Sequence, residues 1–359
     1  MLMSKTEYEK NYECHDFDDK YYDKSFLEIS DYLATCNVNN YQFPLYIFDP
    51  KVKELDPYDP ELSDHAKESI KTECKRNLMY FLRRVVRIPV PGEKPRRFKL
   101  NKQNCAQIFC YLSGRDTWSS SPRQMHRTVS TLCIMIWESI FYGNFVSLYG
   151  RPTNNIHPDL FRAIVEELPS YLYPDDYIIK KSTIKMDDMF GNNRKNASRE
   201  EQLNRSIGLL NGSSHFQDAE FLYGVDLMYN EIKRKNINGV VLLESTYNPD
   251  YHLTGARNLL LDSVPWEEGF YNTIGDIDPS KLIHIEYRYK ELFSTEKEAE
   301  VYYDTMRKAL CNINKIICNE ILLERPYTEE QYEKMYLEDT HKINELKPIA
   351  TRYDIKMNL

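Results

Sequence analysis

Apolar residues recur along this chain with two periods, and the alternation between them predicts its elements. Over residues 62–87, Ala66, Ile70, Cys74, Leu78, Phe81 and Val85 fall three or four residues apart with charges between them, which predicts an amphipathic helix. Pro89, Pro91 and Gly92 end it. Leu100 to Leu112 carries Cys105, Ile108, Phe109 and Leu112 at helical spacing. Val129 to Phe141 is strongly apolar and too long for a strand, so it predicts a buried helix. Phe145 to Tyr149 reads as a strand and Pro158 to Leu168 as a helix. Val240-Val241-Leu242-Leu243 is a continuous apolar run of the kind a strand buried in a parallel sheet uses. Strand-like and helix-like segments thus alternate over residues 95–325, which predicts an α/β domain with a mainly parallel sheet flanked by helices.

Other segments frame this body. Residues 1–60 contain no glycine and are rich in Asp, Glu and Tyr, which makes an acidic N-terminal arm that either folds onto the body or docks a partner. Residues 61–94 form the helix and a Pro-rich connector. Residues 182–206 are polar, with Gly191-Asn192-Asn193-Arg194-Lys195-Asn196, and read as a surface excursion. Residues 326–359 form a charged C-terminal tail with Glu329, Glu330 and Glu333.

Composition narrows the function classes. With 359 residues, 42% of them apolar, the chain can bury a substantial core as one large domain with extensions. The formal net charge of −8 argues against strong DNA binding by the chain alone, because phosphate contacts come from Lys and Arg. Local basic patches remain at Lys94, Arg96, Arg97 and Lys99 and at Lys233, Arg234 and Lys235. The eight cysteines form no C-x-x-C pair and no zinc spacing, so they read as small buried hydrophobes in a reducing cytoplasm. The N-terminus has no signal-peptide pattern, and the apolar Cys133 to Ile140 run is too short to span a bilayer, so no membrane is expected.

The candidate chemistry lies in residues 119–131, between a short polar segment and the apolar helix. A phosphate loop needs Gly-Lys-[Ser/Thr] there, for a tight turn, a phosphate-reaching cation and a hydroxyl for Mg²⁺. This chain has His126-Arg127-Thr128. The hydroxyl is kept, the cation exchanged and the glycine lost. His126 adds a Cβ where a positive φ is often needed, at a cost of roughly 1–3 kcal/mol. Arg127 keeps the charge on a larger planar group that prefers two-pronged phosphate contacts.

Phe98-Lys99-Leu100-Asn101-Lys102-Gln103-Asn104-Cys105-Ala106-Gln107-Ile108-Phe109-Cys110, followed by Pro122-Arg123-Gln124-Met125-His126-Arg127-Thr128, resembles the ATPase domain of tailed-phage terminase large subunits. That family's loop commonly reads Arg-Gln-x-Gly-Lys-Thr. The resemblance implies that Gln124, His126, Arg127 and Thr128 cradle phosphate, that Thr128 meets Mg²⁺, and that Asn104 holds adenine. It also implies that Arg123 acts as a cis arginine on the transition-state charge. Gly208-Leu209 with His215-Phe216-Gln217-Asp218-Ala219-Glu220-Phe221 resembles the Walker B strand. One register puts Gln217 and Asp218 at the two acidic places, with Glu220 on the acidic-aromatic tail; a register shifted by one puts Asp218 and Ala219 there. Asp218 is the remaining Mg²⁺ carboxylate in either case, and one carboxylate is lost. Glu244-Ser245-Thr246-Tyr247-Asn248-Pro249 resembles the coupling motif, with Ser245 and Thr246 kept. Ile283 to Tyr289, a helix from about Thr295, and Glu320 to Glu324 resemble the end of the domain, so the likeness spans roughly residues 75–325.

The implied fold is a P-loop NTPase (RecA/ASCE-like) sheet with an N-terminal extension. The implied cofactors are ATP and Mg²⁺, held weakly or not at all. Three functions stay open: a terminase-like protein with a degenerate nucleotide site and a structural or regulatory role, a working packaging ATPase whose nuclease is on a separate chain, and a phage structural protein that kept only the fold. Implied partners are the portal, the small terminase or a nuclease subunit, together with double-stranded DNA, in the cytoplasm of a bacterial host. No nuclease is expected within these residues.

Overall fold

The structure, a computed structural model, describes residues 20–90, 92–122, 125–142, 146–149, 156–173, 207–211, 229–230, 233, 240–245, 255–293 and 295–310. Its centre is a sheet of six strands, all paired in parallel. They are β3 (Thr117–Ser120), β4 (Val146–Tyr149), β5 (Ile207–Asn211), β6 (Val241–Ser245), β7 (Val264–Pro265) and β8 (Ile283–Glu286), in the spatial order β4-β5-β6-β3-β8-β7. A separate two-residue hairpin, β1 (Arg87–Ile88) with β2 (Arg96–Arg97), is antiparallel. The chain is therefore α/β with a parallel sheet and helices packed against it.

Parallel strands need crossovers, and the apolar run Val129 to Phe141 lies in the one from β3 to β4. Helix α3 (Lys102–Leu112) leads into β3, and α4 (Arg127–Phe141) carries the chain away from it. Along a strand, alternate residues face opposite sides of the sheet. Leu242 of β6 and Ile283 and Ile285 of β8 join the same buried cluster as Ile108 and Phe109 of α3 and Leu132 and Ile136 of α4. That cluster also takes in Phe26, Ile29 and Leu33 of α1 (Lys20–Thr35) and Phe43, Leu45, Ile47 and Val52 after it. The described part of the N-terminal region is thus continuous with the core of the sheet.

The expected single helix over 62–87 is broken. Helix α2 runs Asp64–Arg76, Asn77 adopts an extended conformation, and a turn at Leu78–Tyr80 passes into π-helical Phe81–Val85. The cause is local. The Asn77 side chain caps the next turn by accepting from Tyr80 N–H at 3.0 Å, while its amide donates to Tyr46 O at 2.9 Å and Glu73 Oε1 at 2.8 Å. An Asn side chain that offers the backbone an alternative partner ends a helix which its apolar periodicity would continue.

Glu73 anchors the same junction. Its carboxylate is buried and accepts the backbone N–H groups of Phe48 at 2.9 Å and Asp49 at 3.0 Å. Burial raises its pKa, against the pull of these hydrogen bonds. At the amino edge of the sheet, Asp116 accepts from Val241 N–H at 2.9 Å, Tyr229 hydroxyl at 2.8 Å and Lys233 Nζ at 2.9 Å, which fixes β3 against β6. Glu73→Ala takes the acceptor from the part-buried N–H groups of Phe48 and Asp49 and from the buried Asn77 amide, each loss costing up to about 1–3 kcal/mol. Its unfolding free energy in urea should fall by about 3 kcal/mol; a change below about 0.5 kcal/mol, the scale of an ordinary surface substitution, would show that the junction does not depend on this carboxylate.

Candidate functional site

Parallel α/β sheets place ligand sites at the carboxyl ends of their strands. Here β3 sits inside the sheet between β6 and β8, ends at Ser120, and connects through the loop that contains His126 to α4. Trp137 lies on that helix. The loop enters α4 through His126, whose backbone is left-handed, with φ 59° and ψ 15°. A left-handed residue with a Cβ costs about 1–2 kcal/mol, although His is among the side chains found there more often. His126 makes no side-chain capping hydrogen bond to the helix. The position where a phosphate loop uses glycine is therefore one where this backbone needs a positive φ.

The side chains that follow turn inward. Arg127 is buried, and its Nη1 donates to Ser121 O at 3.1 Å and Ser121 Oγ at 3.3 Å. Its Nε lies 3.9 Å from Glu244 Oε2. Thr128 Oγ1 donates to the same Glu244 oxygen at 3.0 Å. Thr131, one turn further along α4, donates to Glu244 Oε1 and accepts from Gln107 Nε2 of α3 at 2.8 Å. The β3–β6 register explains the meeting: Ser119 is paired with Glu244, so the carboxylate shares the face of Ser119 and lies under the first turn of α4. Glu244 is almost wholly buried. A chain of polar contacts thus runs from α3 through α4 to β6.

The amino end of α3 abuts the same loop. Asn101 caps the helix, and its Nδ2 donates to Met125 O at 3.0 Å. Asn104 completes a capping box: its Oδ1 accepts from Asn101 N–H at 2.7 Å and its Nδ2 donates to Lys99 O at 3.0 Å. The Asn104 amide is thereby engaged in holding the helix start. The neighbouring Gln103 is buried, and neither atom of its amide has a hydrogen-bond partner among the described residues. His126 is exposed at the surface, yet the protein crowded around its imidazole and then the positive charges of Lys99 and Arg96 hold its pKa below the ordinary value.

A second group lies on the opposite face of the sheet. Ser120 Oγ is 3.0 Å from His284 Nε2, and the same nitrogen is 3.9 Å from Glu286 Oε2. The Trp118 ring meets His284 edge-on, with centroids 6.0 Å apart. Ser120 and Glu286 both approach Nε2, whereas a catalytic triad has its acid on the nitrogen opposite the nucleophile.

Other expected residues fall elsewhere. Ser245 ends β6, paired in register with Ser120. Strand β5 ends at Asn211 and is separated from β3 by β6; Gln217 and Asp218 come after that end. Arg123, Gln124, Gln217, Asp218, Glu220 and Thr246 lie outside the described residues. Among the described residues, no group of three or more His, Cys, Asp or Glu side chains is placed to hold a metal ion. Neither family models nor curated proteins yield a match to the chain.

The sequence pattern places Glu244 only at the start of the coupling-like segment and assigns it no partner. The available signal was a carboxylate at the end of an otherwise apolar run, Val240 to Leu243, where a buried parallel strand must find partners for any charge.

The backbone at position 126 makes a directional prediction. His126→Gly should raise the unfolding free energy by about 1 kcal/mol through relief of the left-handed strain, and His126→Val should lower it by about as much. Equal stability of the two variants in urea unfolding would contradict the left-handed conformation.

Proposed function

We propose that this chain is a terminase large subunit-like ATPase-domain protein with a degenerate nucleotide site, serving phage DNA packaging in a structural or regulatory role. The observation that carries the proposal is the entry into α4. A loop leaves an internal strand of a parallel sheet, as a phosphate loop does, yet its left-handed residue is His126 and its Thr128 hydroxyl is engaged by Glu244. The motif resemblance over residues 98–128 and the position of β6 between β3 and β5 support a RecA-like phosphate-loop ancestry.

Phosphoryl transfer depends on positioning and on charge stabilisation. A loop held open or strained by His126 approaches phosphate poorly, and Arg127 donates into the chain at Ser121. Misplacement of a phosphate contact by about 1 Å costs on the order of 10²-fold in rate. The Asn104 amide, expected to hold adenine, serves the start of α3, so a base entering beside that helix would find it already engaged. Portal, small terminase or nuclease subunits and double-stranded DNA are the partners this reading implies. Among the described residues no helix is long and apolar enough to cross a membrane.

One observation favours a working ATPase as the second reading. Thr128 with Glu244 is a hydroxyl–carboxylate pair of hard oxygen donors, the type of pair that holds Mg²⁺ in active phosphate-loop enzymes. Mg²⁺ bound there would supply charge neutralisation for a triphosphate.

Nucleotide binding and hydrolysis assays separate the two. The isolated chain should show no ATP turnover above background, with or without double-stranded DNA. His126→Gly combined with Arg127→Lys should tighten ATP binding. Robust Mg²⁺-dependent turnover that Thr128→Ala abolishes would overturn the degenerate-site reading in favour of the working motor.

A further inference from the structure

We propose that Glu244 is an internal occupant of an anion site, so that the β3–α4 loop accepts a phosphoryl group only when this carboxylate is displaced or neutralised. The inference rests on reading that loop as a phosphate loop.

The donors near the loop are the ones a phosphoryl oxygen would use. They are the Thr128 hydroxyl, the Arg127 guanidinium and the first backbone N–H groups of α4, a helix of 15 residues. Glu244 takes the first by accepting from Thr128 at 3.0 Å, and compensates the second with its Oε2 at 3.9 Å from Arg127 Nε. Its other oxygen is held by Thr131, which Gln107 fixes in turn. The carboxylate is almost wholly buried, so its charge is weakly screened by solvent. A phosphoryl anion arriving at Thr128 would therefore compete for the same hydrogen-bond donor and meet a like charge at short range. The arrangement stabilises the loop with no ligand bound, and it makes anion affinity depend on one side chain of the neighbouring strand.

Glu244→Gln tests this directly. The amide keeps the shape, retains an acceptor for one threonine, and removes the negative charge. Titration calorimetry with inorganic phosphate, and with ATP with and without Mg²⁺, should show binding at least about tenfold tighter than in the wild type. The gain should disappear when Arg127→Gln is added. Where circular dichroism shows that Glu244→Gln does not fold, Glu244→Asp tests the hydrogen-bond part of the proposal: its shorter carboxylate withdraws from Thr128 but keeps the charge, so anion affinity should rise by a smaller factor, and no rise would overturn the proposal.

Combination with the loop variant separates the two levels of the argument. Tighter ATP binding in His126→Gly/Arg127→Lys, with no further gain on adding Glu244→Gln, would overturn the internal-occupant role and leave the phosphate-loop reading standing. No gain in any variant would overturn both. Mg²⁺-dependent ATP binding by the wild type that Glu244→Gln abolishes would also overturn the proposal, because Glu244 would then be a magnesium partner.

Discussion

A carboxylate buried inside a parallel sheet cannot be left unpaired, and the arrangement around Glu244 follows from that constraint. Taking an ion out of water costs several kcal/mol even after relaxation, and the cost is met only if its lone pairs find good donors. Two threonine hydroxyls provide them, and the Arg127 guanidinium adds an opposite charge at 3.9 Å. Each donor comes from α4, so satisfying the charge fixes the rotation and height of that helix above β3 and β6. Gln107 extends the same requirement to α3, since its amide hydrogen-bonds Thr131. Side-chain networks of this kind specify one packing where an apolar interface tolerates several.

The constraint also shapes the loop. Arg127 and Thr128 turn inward at the first turn of α4, and the chain enters that helix through His126, a left-handed residue without a side-chain cap. The roughly 1–2 kcal/mol of backbone strain is smaller than the 3–5 kcal/mol that follows from removing one partner of a buried charge. The network around Glu244 thus outweighs the strain at His126, and the strained entry persists.

Much of the architecture was legible in the sequence because it rests on apolar periodicity. The helix before β3 shows helical apolar spacing, the buried helix after Thr128 is a long apolar run, and the strand at Val240 to Leu243 is a short continuous one. The break at Asn77 was hidden, because a hydrogen-bonding side chain stopped a helix whose apolar spacing continued through it. The departure of His126-Arg127-Thr128 from a phosphate-loop pattern was visible as letters, and the positive φ at His126 is the conformation that a glycine at that place would suit. Glu244 was not legible as a partner of Thr128. The two residues are 116 positions apart, and their meeting depends on the β3–β6 register, which no local pattern encodes. The Asn104 amide looked available for a ligand, yet the adjacent Asn101 makes it half of a capping box.

The most direct test of the account is a double-mutant cycle on Thr131 and Glu244, read by urea unfolding. Thr131→Val removes a donor and Glu244→Gln removes the charge; neither residue need meet a ligand in the experiment. If the buried carboxylate organises α4 over the sheet, the two substitutions should be coupled by about 1–3 kcal/mol. Effects that add to within about 0.5 kcal/mol would mean that Glu244 and Thr131 do not act together, and the network would not be what holds this site.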